Sequence, residues 1–113
     1  MSLSASLPPV AAAPSVNLID VLDRLEAALM AMLTGGAEAQ IRHLVVVERL
    51  CLLGREGFPG DNLITDGFVG IATRAPVIAG VMMVPEGLRE RTFSESIRLI
   101  EALRVHLAAR EVA

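Results

Sequence analysis

Four side chains are of types that could do chemistry together: His43, Glu48, Cys51 and His106. Imidazole, carboxylate and thiol are the usual parts of a metal site or of a nucleophile–base pair. The first three fall on one stretch that reads as helix. At about 100° per residue, His43 and Glu48 point roughly 140° apart, too far to hold one ion. Glu48 and Cys51, at i,i+3, share a face. Two ligands are too few without His106 or a second subunit. Cys51 sits beside Leu50, Leu52 and Leu53, where a thiol behaves as a small, inert hydrophobe. His43 reads as a partly exposed helix residue, with a pH-sensitive interface as its other use. His106, near Arg110, reads as part of a solvated last turn. Gly54, Gly57 and Gly60 give GxxGxxG, but no Lys follows and no strand clearly precedes. That is a flexible loop rather than a phosphate cradle. The sequence assigns no catalytic residue, no metal ligand and no cofactor.

Glu48 and Arg49 carry a different message. They are the only charges between Leu44 and Leu53. A buried unpaired charge is very costly, so they must lie at an edge, form a wet stripe, or fix register between two subunits.

The elements that would position these residues are mostly helices. Asn17 is a good N-cap, and Asp20 suits the first turn. Leu18, Leu22, Leu25, Leu29 and Met32 then recur at 4-3-4-3, the mark of an amphipathic helix. Asp20 and Arg24 form an i,i+4 pair on its wet side. Gly35 reads as its C′ residue in positive φ. A second helix restarts at Ala37, with a Glu38–Arg42 pair, and should run to about Leu53, stopped by Gly54. The two form an antiparallel helical hairpin. The later half of the second helix is apolar nearly all round, unlike a surface helix of a monomer. Residues 54–61 read as loop.

Residues 62–84 admit two readings. Ile64, Phe68, Ile71, Ala75, Ile78 and Met82 fall at 4-3-4-3-4, a helical stripe that Pro76 and three glycines would break. The rival is a β-hairpin at 68–84, which would make the fold α+β. The last helix reads as starting at a capping box, Thr92-Phe93-Ser94-Glu95, and reaching Arg110. Ile97, Ile100, Leu103 and Leu107 line its face. Glu95–Arg98 and Glu101–Arg104 are its i,i+3 pairs. The expected fold is an all-α small helical bundle over residues 17–113. Residues 1–16, uncharged and holding three prolines, read as a flexible arm.

Composition narrows the function. The chain has 113 residues, is 53% hydrophobic, carries net charge -3, and holds one cysteine. That excludes whole-chain disorder and a disulfide framework. All ten basic residues are Arg and form no block, which disfavours nucleic acid. Neither a signal peptide nor a membrane span is evident, so a cytoplasmic protein with no membrane partner is expected. The expected function is non-enzymatic: a small adaptor, assembly or export chaperone, or regulatory subunit. It would work as a homo-oligomer, a dimer first, and would take a helical protein partner in a groove lined by Met30, Met32, Met82 and Met83. The expected interface is Val46, Val47, Glu48, Arg49, Leu50, Met82 and Met83. One alternative is a structural building block joined through the N-terminal arm. Another is a small enzyme or enzyme subunit with chemistry near His43 and Glu48.

Overall fold

The computed structural model describes residues 17–112, and the N-terminal arm expected at 1–16 lies outside the described residues. Among the described residues there are four helices and no strand: α1 (Leu18–Thr34), α2 (Ala37–Gly57), α3 (Asn62–Ile78) and α4 (Leu88–Val112). Each packs on its neighbour in the chain, and α4 closes back on α1. This is the small all-α bundle that the periodicities predict.

The apolar stripe of α1 builds one wall of the core. Leu22, Leu25, Leu29 and Met32 are fully buried. The Asn17 side chain accepts from the Asp20 amide at 3.1 Å, and Arg24 meets Asp20 at 2.8 Å. Gly35 ends the helix for a reason other than the one expected. Its φ is -91°, so no left-handed turn is made. A Cβ there would instead stand 2.7 Å from the Ala31 carbonyl oxygen. Glycine is required by close approach of the backbone.

Helix α2 runs one turn beyond its expected end. Gly54 is helical and buried. A Cβ on it would meet the Phe68 ring at 2.5 Å, so this glycine is a notch that lets α3 lay its one buried aromatic against α2. The connection to α3 shrinks to Phe58–Asp61. Glu38 and Arg42 are exposed on α2 and do not pair with each other.

Helix α3 decides the ambiguous segment against the hairpin. Ile64, Phe68, Ile71, Ala75 and Ile78 are all fully buried; Met82, the sixth of the series, lies past the helix end. Asp61 is the N-cap, its side chain accepting from the Ile64 amide at 3.2 Å. Pro76 sits in the last turn, where a missing N–H removes a single bond and the chain leaves the helix soon afterward. The break falls at Gly80, whose φ is +75°. Gly67 brings α4 close: its Cβ would lie 2.8 Å from Leu103.

Helix α4 starts a turn before the expected capping box. Gly87, at φ +86°, turns the chain into it. Thr92 is thus an interior helical residue, buried, and caps nothing. Arg89, in the first turn, donates to the carbonyls of Ile78, at 2.8 Å and 3.0 Å, and of Met32 at 3.2 Å. One guanidinium thereby satisfies carbonyls at the C-terminal ends of α3 and α1, groups that a helix leaves without partners. Glu95 turns to Arg74 on α3, at 3.1 Å, instead of Arg98. Arg104 holds its expected partner Glu101 and also reaches Asp23 and Glu26 on α1.

Candidate functional site

Among the described residues, the outward face of α2 leaves a run of large aliphatic side chains exposed. Ile41, Val45, Val46, Leu52 and Leu53 are between 39% and 58% exposed. The inward face is narrow: Val47, Cys51 and Gly54 are its buried residues. The cause is local. Apolar side chains occupy nearly every position from Leu44 to Leu53, and two flanking helices can cover only about half of a helix's circumference.

The seven expected interface residues separate accordingly. Val46, Glu48 and Arg49 are exposed, and Leu50 is half-buried. Val47 is fully buried in the chain's own core and offers no surface. Met82 is half exposed and Met83 wholly so. Both lie in the α3–α4 connection, at the end of the bundle where α2 begins; Gly80 stands beside Gln40. Of the four methionines expected to line a groove, Met32 is core, fully buried.

His43 lines a shallow groove of about 290 Å³ between α1 and α2, with Arg24, Ala27, Ala28, Val46 and Leu50. Glu48 faces outward and is not among those residues, so the structure does not bring His43 and Glu48 together. Cys51 is buried, and burial pushes its thiol up to about 12, where thiolate is negligible at neutral pH.

One cluster escapes sequence reasoning. His106 Nε2 donates to Asp61 Oδ2 at 2.8 Å, and Arg110 donates to the same oxygen. The Arg110 guanidinium lies 4.6 Å from the centre of the Phe58 ring. Asp61 is 12% exposed at its side chain. Its carboxyl is held well below the ordinary 3.8, first by the His106 hydrogen bond, then by the Ile64 amide and Arg110. His106 is therefore not a solvated turn residue. The carboxylate caps α3 with one oxygen and ties α4 with the other, so three donors hold it in a structural role. The partners lie 45 and 49 residues away along the chain, and no local pattern announces such a link. Only the cap itself was readable, as an Asp just before a periodic run.

Among the described residues no helix is long and apolar enough to cross a membrane. No family model matches the chain, and neither a curated protein nor a solved structure matches it.

Proposed function

We propose that this chain is a non-enzymatic protein-interaction module that works as a homo-oligomer, in the manner of a small adaptor, assembly chaperone or regulatory subunit. The carrying observation is the outward face of α2, with five large aliphatic side chains left in water. Isolated exposed hydrophobes are ordinary on any protein, but a cluster on one helix is a surface waiting to be covered. The magnitudes favour a reversible pair. Full burial of such a side chain stabilises by roughly 1.5–3 kcal/mol, and about half of that remains to be gained at each half-exposed position. A dimer covers five from each copy, and these ten half-burials set roughly 8–15 kcal/mol against an association cost of about 4–15 kcal/mol. The apolar loop Val81–Met83 supplies further area. A lone thiol outside any disulfide framework fits a reducing compartment such as the cytoplasm.

Light scattering across a concentration series tests the reading. The expected result is a dimer that dissociates on dilution. The double variant Val45→Glu, Leu52→Glu should be monomeric throughout, with unchanged helical circular dichroism because both sites are exposed. A wild-type chain that stays monomeric at the highest attainable concentration overturns the proposal.

A further inference from the structure

The outward face of α2 has an order that reads the same from both ends. Arg49 stands at its centre, exposed. Three residues to either side lie Val46 and Leu52. Four to either side lie Val45 and Leu53. Seven to either side lie Arg42 and Glu56. Offsets of three, four and seven keep all of these within an arc of roughly 120° on one helix face. All four apolar members are between 39% and 49% exposed, and Arg42 and Glu56 are exposed too. Aliphatic positions thus mirror aliphatic positions, while the terminal charges mirror with opposite sign.

We propose that the occupant of this face is α2 of a second copy, packed antiparallel across a two-fold axis that passes beside Arg49. This deepens the self-association put forward above and rests on it. In this register Val45 and Val46 lie against Leu53 and Leu52 of the other copy, on opposite sides of the seam, so that they interdigitate as facing layers do in antiparallel coiled coils. Arg42 of each copy meets Glu56 of the other. At the axis the two Arg49 side chains diverge, each toward the opposing Glu48, one residue from the centre. A parallel pair would set Arg42 against Arg42 and Glu56 against Glu56, repulsion at both ends. The isologous contact closes at two copies and leaves no edge for a fibre. It also gives Glu48 and Arg49, the charges that interrupt the apolar run, a use: they penalise every register in which they would meet an aliphatic side chain.

Charge reversal tests the geometry. The dimer dissociation constant is measured by sedimentation equilibrium, at low salt because exposed pairs are screened, for the full chain, Arg42→Glu, Glu56→Arg, the double variant, and an equimolar mixture of the two single variants. Each single variant faces two like-charge pairs and should dimerise about tenfold more weakly or worse. The double variant should regain wild-type strength. The mixture should do so as well, because a heterodimer of the two singles holds only unlike pairs. A wild-type monomer overturns the self-association reading itself. A wild-type dimer whose single variants are unaffected, or whose mixture stays as weak as its components, leaves self-association standing and overturns the antiparallel register.

Discussion

Asp61 shows how much one side chain can be asked to do. It closes the first turn of α3 through the Ile64 amide and anchors α4 through His106 and Arg110. Its folded carboxyl lies below the ordinary value, so the folded state binds a proton less readily than the unfolded chain. The stability that Asp61 lends is fully present above the unfolded pKa and drains away as pH falls, from about pH 5 downward. Asp61→Asn keeps the capping acceptor but loses the charge. Urea unfolding of this variant should give a lower midpoint than wild type at neutral pH and a flatter decline in acid. Equal acid dependence of the two proteins would show that the carboxylate is not responsible. Cys51 is the converse case at the same scale: its burial removes the very chemistry that its type suggests.

Helix periodicity carries most of what could be read in advance. The stripe of α1 and the stripe from Ile64 to Ile78 reappear as buried residues without exception, because a 3.6-residue repeat is set locally and needs no knowledge of the partner helix. Glycine is where local reading fails. Gly54 reads as a stop, since glycine is a poor helix former, yet it is a helical residue with an aromatic ring in its place. Gly35 reads as a left-handed turn, yet it is extended. The capping box at Thr92–Glu95 is a valid start signal that Gly87 and Arg89 override from one turn upstream. For Gly54 the deciding contact is the Phe68 ring on the next helix, and for the start of α4 it is the hold of Arg89 on Ile78 and Met32, whereas Gly35 is decided inside its own helix by the Ala31 carbonyl. Gly54→Ala tests the notch directly. Better helix propensity favours alanine by about 1 kcal/mol, whereas a methyl group 2.5 Å from the Phe68 ring forces repacking that costs about 1–3 kcal/mol. Net destabilisation in chemical denaturation is expected; a variant more stable than wild type would mean that Phe68 has room to withdraw.

Over the whole molecule the four helices divide their labour unevenly. Helices α1 and α3 turn complete apolar stripes inward, and polar ties hold the two ends of the bundle: Arg89 across Met32 and Ile78 at one, Asp61 with His106 and Arg110 at the other. Helix α2 keeps only a thin strip for this interior, and the candidate surface was legible from the sequence as a surplus of aliphatic residues without being legible as a face. Within that thin strip lies Cys51, the single sulfhydryl of the chain, enclosed and held in its protonated form. A sole, shielded thiol makes the protein its own clock of opening events. Iodoacetamide added to the folded chain can react only during the moments when α2 lifts from α1 and α3. The ratio of its rate to that in strong urea therefore measures how rarely the bundle comes apart, expected at about one part in a thousand or less, with no probe attached and no residue changed.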